Sequence, residues 1–491
     1  MSVLGEVTGS PETSARRAQP PLWLLGPVAV LGWGVVAGWW TPRGPVTTTD
    51  ALSSILLSLG VGFLAGALTR SRWAMLLAPV LFAATVELVR IGFVGPTVDA
   101  PHESALGVLA LLVGRGLHGL LALLPLFVGA AYGAGLARRR SGAEGGGRFR
   151  RYTGRIVVGL LAAFLALVTG SVAIPARTAA IDGGIAELTT VDGLGLLIRG
   201  TDRTAPVLLF QAGSPGGSEI GAVRKRLAEL ERHFIVATVD RRGGGKSYGA
   251  LDPTRTLTLE DEIDTTLGLT NYLRERFGQE KIYLVGHSGS TIQGVLAAQR
   301  HPELYHAYVG AAQVVSLTAA DRSQYRQTLA WARTHDKSGL AATLTALGPP
   351  PYDTIYDYEP MLLAEGEVYA YPGSADAGNG QLENFEVDEH SLLDKMHVMS
   401  GFLDSYGVLY PREKDVDLLA RVPSLAVPAY FVDGAHDVPG RLAVMGPWYD
   451  ALRAPRKERV TFPDAGHRSL FEKPADFVAL MTRVRAETGG S

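Results

Sequence analysis

Five apolar stretches before residue 175 constrain this chain more than anything else in it: Leu22 to Trp40, Ala51 to Thr69, Trp73 to Val94, Leu117 to Ala137 and Ile156 to Ile174. Each comes close to the ~20 residues that cross a bilayer as helix. A lipid-facing segment must satisfy its own backbone hydrogen bonds, so residues 1–177 are expected to form an all-α, multi-pass transmembrane region of about five helices. The run Ala105 to Gly114 is too short to span alone and is expected as an interfacial or re-entrant lead into the fourth span, with six spans as the alternative. Hydrophobic residues reach 47% and charged residues fall to 19%, against about 25% charged in typical soluble domains. That excess lies before residue 175, and the remainder has a soluble composition.

Arginines set the expected orientation through the positive-inside bias of short loops. Arg16 and Arg17 precede the first span, Arg70 and Arg72 separate the second and third, and Arg138, Arg139, Arg140, Arg148, Arg150, Arg151 and Arg155 separate the fourth and fifth. The connectors Thr41 to Asp50 and Gly95 to Ser104 hold one arginine and no lysine. Five spans then leave the N-terminus inside and everything after Arg177 outside the cell membrane. A cleaved signal peptide fits poorly, because the first segment is long, carries several tryptophans and lacks an A-x-A site. Glu87, Arg90, Arg115 and His118 fall at one depth near the outer ends of the third and fourth spans, where an ion-pair cluster pinning two helices is the plainer expectation and a lipid or substrate contact the other. The glycine- and arginine-rich linker Ser141 to Gly154 is expected as a cytoplasmic loop against anionic headgroups.

A net charge of -2 gives no global field to recruit nucleic acid. With no cysteine there is no disulfide, no thiolate metal site and no cysteine nucleophile, and neither a metal nor a cofactor is called for.

From Ile185 the pattern changes. IAELTTVDG and LGLLIRG, divided by Asp192-Gly193, read as a hairpin. Val207 to Phe210 is a continuous apolar run of the buried-strand kind, followed by a glycine-rich loop at Gln211 to Ser218. A helix near Gly221 to Arg232, a strand Phe234 to Val239, the loop DRRGGGKS, a helix Leu259 to Phe277, the strand Ile282 to Val285 and a helix to Arg300 follow. Strands alternating with helices argue an α/β fold with a mostly parallel sheet covered on both faces. Residues 316–421, rich in acids, aromatics, glycine and proline with no convincing strand, read as a helical cap inserted between core segments 178–315 and 422–491. The rhythm resumes with Val427 to Val432, a helix near Leu442 to Leu452, Arg459 to Phe462 and a terminal helix Pro474 to Arg485.

In KIYLVGHSGSTIQG, Lys281 to Gly294, a strand runs through Gly286-His287-Ser288-Gly289-Ser290 into a helix, the layout that exposes a serine on a sharp turn. A serine hydroxyl needs an imidazole to take its proton, and that imidazole needs an acid to fix its tautomer. Asp437, in DGAHD, and His467, in FPDAGH, each follow a strand, so the chain order Ser288, Asp437, His467 points to a catalytic triad. Alone, each signal is modest, since an aspartate after a strand is usually a turn residue and a lone histidine usually structural. His436 is the competing histidine but precedes the last helix and strand. Backbone N–H groups of Gly289 and Ser214 are the expected oxyanion donors.

On these segments the chain from about Ile185 to Ala486 resembles the proline iminopeptidase branch of the α/β-hydrolase fold, serine peptidases that cleave N-terminal residues. AGSPGGSE stands where that family has an HGGPG loop, DRRGGGKS where it has DQRG-x-G-x-S, and GHSGS, HPELYHAYVGAAQVV and GPPPYD match the elbow, the stretch after it and the cap. Ala212 replaces the family's histidine, Ser214 its second glycine and Ser290 the last glycine of G-x-S-x-G. The resemblance implies a substrate amine held by cap carboxylates, with Glu365, Glu367, Glu383, Glu386 and Glu389 available, though solvation is the expected role of most. The expectation is a membrane-anchored, extracytoplasmic Ser-His-Asp hydrolase acting on a peptide or small acyl substrate, peptidase ahead of esterase. A lipid or ester hydrolase at the membrane surface and a non-catalytic ligand sensor are the alternatives.

Overall fold

The computed structural model describes residues 22–142, 148–213, 215–254, 257–373 and 380–489. Contacts gather the described residues into two compact units, one drawn from Met1–Trp39, Ile55–Val89 and Ala122–Phe164, the other from Trp40–Ser54, Arg90–Leu121 and Leu165–Ser491. Three stretches that begin before the expected boundary at residue 177, Trp40–Ser54, Arg90–Leu121 and the residues from Leu165 onward, therefore group with the second unit.

Among the described residues four helical runs are long and apolar enough to cross a membrane, Leu22–Trp40, Thr48–Thr69, Ala105–Arg140 and Tyr152–Val172, and each has part of its length in the first unit. The third expected span is shorter, Ala74–Val89, because Arg90 leaves the helix and buries its guanidinium with a bond to the Pro42 carbonyl. The Ala105 to Gly114 lead is continuous with the fourth helix, through two π turns at Leu112–Gly116 and Gly119–Leu123. Arg115 donates to the carbonyls of Thr97 and Val98. Arg16, Arg17, Gly145, Gly146 and Gly147 lie outside the described residues.

Two G-x-x-x-G stripes organise the helix contacts. A Cβ on Gly62 or Gly66 would run into the backbone of Leu126 or Ala130, and one on Gly129 or Gly133 into that of Leu59 or Phe63. Lipid supplies no hydrophobic drive between helices, so this close backbone approach and the bond from Trp33 Nε1 to Ser58 Oγ, 2.9 Å, hold the bundle.

The second unit contains an eight-stranded sheet in the order β1-β2-β4-β3-β5-β6-β7-β8. The strands are β1 Ile185–Val191, β2 Leu194–Gly200, β3 Val207–Gln211, β4 Ile235–Val239, β5 Ile282–His287, β6 Tyr305–Ala311, β7 Ala429–Gly434 and β8 Lys457–Phe462. β1, β2 and β4 pair antiparallel and every pair from β4 to β8 is parallel. The β1–β2 hairpin turns on Asp192 and Gly193 at φ 50° and 80°, the pair of positive values that a two-residue type I′ turn requires. Strands β2 to β7 are buried along their whole length apart from one half-buried residue in β6, as expected where helices cover both faces. Thr258 and Asp261 form a capping box at the start of Leu259–Phe277, and Gly278 ends that helix at φ 63°. Between β6 and β7 the chain holds helices Leu317–Thr334, Ser338–Leu347, Ile355–Val368 and Leu392–Glu413, with no named strand among the described residues.

Gly133→Leu is expected to force the helices Thr48–Thr69 and Ala105–Arg140 apart at a cost of about 1–3 kcal/mol. Thermal melting in detergent should fall relative to wild type, whereas Gly135→Leu, where a side chain meets open space, should leave it unchanged.

Candidate active site

β5 stops and helix Ser290–Arg300 starts within three residues, so Ser288 sits at φ 52°, a left-handed conformation that a residue with a Cβ holds only under constraint. Its N–H donates to the Ala311 carbonyl of β6, 2.8 Å. The turn is tight enough that a Cβ on Gly286 would lie 3.1 Å from the Thr291 Cα. Ser290, standing where the family pattern has glycine, is fully buried, receives the His287 N–H at 2.9 Å and reaches the Gln211 and His287 carbonyls at 2.8 and 3.0 Å. The hydroxyl occupies the crowded contact by bridging β5 to β3.

Parallel strands deliver their ends to one side, and there the three expected residues meet. Ser288 Oγ lies 2.8 Å from His467 Nε2, and His467 Nδ1 lies 3.0 and 3.1 Å from the two Asp437 oxygens. This network assigns Nδ1–H as donor to the carboxylate and Nε2 as acceptor of the serine proton. Burial pushes the Asp437 carboxyl up, but His467, Arg441 and the Val438 N–H outweigh it and hold it well below the usual carboxylate range. His436 is exposed, stacks on Tyr371 at 4.7 Å and takes no part in this line.

Behind the nucleophile is a pair that sequence reasoning missed. Glu219 accepts from Gly213 N at 3.0 Å and meets His287 Nδ1 at 2.8 Å, while His287 Nε2 lies 3.4 Å from the His467 carbonyl. Burial opposes the Glu219 charge, yet His287, Arg468 and the Gly213 N–H hold it ionised below its ordinary value. Glu219 thereby ties the loop after β3 to the elbow, and a Cβ on Gly213 would approach the Ser288 Cβ to 3.0 Å. Ser214 lies outside the described residues. Gly289 lines the cavity beside Ser288.

That cavity, about 210 Å³, is walled by Ser288, His467, Asp321, Tyr406, Tyr410 and Arg441, among others. Asp321 is buried and accepts from Tyr410 Oη at 2.8 Å on both oxygens. Burial lifts its carboxyl to about 6, against the hydrogen bonds from Tyr410 and Tyr358 and the charge of Arg441. The Arg441 guanidinium, 3.3 Å from Asp437 and 3.8 Å from Glu365, is held charged by Glu365, Asp437 and Tyr410 in spite of its burial. A wider groove of about 630 Å³, by Lys281, His306 and Arg485, lies where the strands begin and holds none of the candidate residues; in parallel α/β sheets ligands sit at the carboxyl ends, which favours the smaller cavity.

The five cap carboxylates divide: two are buried, Glu365 is half-buried, and Glu367 and Glu386 stay exposed to solvent although each pairs with a lysine. Glu383 and Glu389 are buried and pair with Arg226, Arg468 and Arg224, Glu386 pairs with Lys225 and Glu367 with Lys337. Only Glu365 reaches the cavity wall, through Arg441 and a 3.0 Å bond from Gln324. Arg224 and Arg226 of the core helix Ile220–Arg226, together with Arg468, claim Glu389 and Glu383, and Asp321, which no motif marks, lines the cavity instead. Among the described residues no cluster of metal-ligating side chains occurs.

A family model described as alpha/beta hydrolase fold matches residues 206–474. The probable aminopeptidase YbaC of Bacillus subtilis (strain 168) is 28% identical over 293 residues, 59% of this chain and 91% of that protein. Among solved structures, a proline iminopeptidase of Mycobacterium smegmatis aligns at 18% identity and TM-score 0.43, covering 62% of this chain and 98% of that one. A membrane phospholipase A described as a bacterial virulence factor aligns at 16% identity and TM-score 0.42, covering 69% and 94%.

Fluorophosphonate labelling should discriminate the two histidines. His467→Ala is expected to lower the labelling rate by at least ~10³-fold, in line with loss of a triad member, and His436→Ala to leave it at the wild-type value.

Proposed function

The chain belongs to the α/β-hydrolase family, and we propose from that premise that it is a membrane-anchored, extracytoplasmic serine hydrolase, an aminopeptidase-like peptidase before an esterase. The observation that carries this reading is the unbroken line from Ser288 Oγ through His467 to Asp437. In the proposed reaction Ser288 attacks the substrate carbonyl as its proton passes to His467 Nε2. Asp437, ionised and fixed by Arg441 and the Val438 N–H, stabilises the imidazolium and keeps its tautomer. The Gly289 N–H and a donor from the Ser214 loop bind the oxyanion. His467 then gives its proton to the leaving amine, and a water deprotonated by the same imidazole releases the acyl group and restores Ser288.

Peptidase is favoured by the content of the cavity. Asp321 offers a buried carboxylate to a substrate ammonium, and about 210 Å³ is small beside the ~300–1,000 Å³ of common ligand sites, which suits one terminal residue. The relative named as a probable aminopeptidase supports the same choice. An ester or lipid substrate is the second reading, favoured by the apolar part of the wall at Met361, Leu362 and Phe402. Orientation draws support from the division of the chain. The arginine-poor connectors fall in the same compact unit as Ser288, whereas Arg70, Arg72 and Arg138 to Arg140 fall in the other.

Ser288→Ala is expected to abolish both hydrolysis and fluorophosphonate labelling, and a membrane-impermeant probe should label intact cells. Labelling that survives the substitution overturns the nucleophile, and labelling only after lysis overturns the orientation. For Asp321, lifted from 3.8 to about 6, the ionised form exists above that value. KM for aminoacyl-arylamides should therefore rise as pH falls through about 6, and Asp321→Asn should raise it at pH 7 while sparing acyl esters. Because the folded value is the higher one, ionisation costs stability across that window. Asp321→Asn should raise the melting temperature at neutral pH, and the gain should vanish near pH 4.

A further inference from the structure

The segments that connect the apolar helices are built into the cap. Asp404, with no exposed side-chain surface, receives the Thr97 N–H at 2.9 Å, Thr97 Oγ1 at 2.6 Å and Tyr248 Oη at 3.0 Å, and pairs with Arg43 at 3.1 Å. Arg43, 3% exposed, is in turn fixed by Asp252 at 2.8 Å and by the Val94 carbonyl. Asp404 stands on the helix Leu392–Glu413, whose Phe402, Tyr406 and Tyr410 wall the cavity. Those aromatics recur every fourth residue and so share one face. Asp404, two positions on from Phe402, falls on the opposite one, where His397 stacks on Tyr248 at 4.3 Å.

An independent contact grips the neighbouring cap helix. Glu359 is buried and accepts from Ala105 N at 3.0 Å and Leu106 N at 2.9 Å, capping the run that begins at Ala105. His102 stacks on Tyr356 at 4.0 Å. Glu359 and Tyr356 belong to the helix Ile355–Val368, which gives Tyr358, Met361 and Leu362 to the same cavity. Two cap helices are thus each held on one side by a connector and present the substrate wall on another.

We propose that Arg43 and Thr97 are positioning residues of the substrate cavity, acting through Asp404 to set the helix that carries Phe402, Tyr406 and Tyr410. The N-terminal half then shapes specificity as well as anchoring the enzyme. This rests on the reading of Ser288 as nucleophile only for its kinetic readout.

The test uses the full chain in detergent or nanodiscs, with an aminoacyl-arylamide as substrate and a small fluorophosphonate as probe of Ser288. Arg43→Gln and the milder Thr97→Val are expected to lower kcat/KM by about 10- to 100-fold, mostly through KM. Labelling of Ser288 should change far less, because the triad stands on strands that these residues do not touch. Thr97→Val and Asp404→Asn should be non-additive in KM, since both act at one carboxylate. Folded variants with wild-type KM, or additive effects, overturn the proposal. If the wild type shows no labelling and no turnover, the hydrolase reading fails separately. Hydrogen exchange then decides: faster exchange along Leu392–Glu413 in Arg43→Gln supports the role of Arg43, and unchanged exchange overturns it.

Discussion

Ser288 must be held at φ 52° at the carboxyl end of a central strand, and much of the α/β unit follows from that requirement. A positive φ on a residue with a Cβ persists only where its surroundings over-determine it. Here β5 is hydrogen-bonded on both sides, the Ser288 N–H is tied to β6, and small residues at 286, 289 and 290 let the helix begin at once. β7 and β8 run parallel to β5, with Gly434 in register with Phe462, so the loops that follow them carry Asp437 and His467 to the same edge. Three residues separated by 149 and 30 positions converge because the strands they follow all point one way.

The carboxylates around this edge are pushed in opposite directions by their neighbours. Asp437 faces His467, Arg441 and a backbone N–H, which together keep it ionised despite burial. Asp321 has tyrosine hydroxyls and a more distant arginine, too little to offset the loss of water, so its value climbs. A site with one carboxylate held down and another lifted can assign them different work, one fixing the base and one meeting the substrate. Arg441 couples the two environments, since it contacts Asp437 and lines the cavity with Asp321.

How much of this could be read from the residues follows the range of the interaction. Leu259–Phe277 has the bounds expected for it, because its capping box and its αL glycine are local signals. The strands and the order Ser288, Asp437, His467 were legible for the same reason, each carried by an apolar run and the turn after it. Asp321 was not, because its burial depends on Tyr358 and Tyr410 from other helices of the cap. Glu383 and Glu389 look like surface acids in a polar run, and only folding brings Arg224, Arg226 and Arg468 against them. Ala74–Val89 is shorter than its hydropathy suggests because a buried tertiary bond draws Arg90 out of the helix.

The Thr97–Asp404 bonds span 307 residues, and they show why a buried charge can be kept where an apolar contact would serve stability as well. Replacing a buried ion pair with well-packed hydrophobic residues is often neutral or stabilising, so stability alone is a weak account of Arg43 and Asp404. Apolar packing tolerates small rotations of a helix about its axis, whereas a carboxylate with several directional donors has one arrangement that satisfies them all. Each residue advances about 100° around a helix, so a modest roll of Leu392–Glu413 would turn Tyr406 and Tyr410 away from Asp321 and reshape the cavity. The cost of dehydrating Arg43 and Asp404 is repaid in register, and the register it sets is that of the wall facing Ser288.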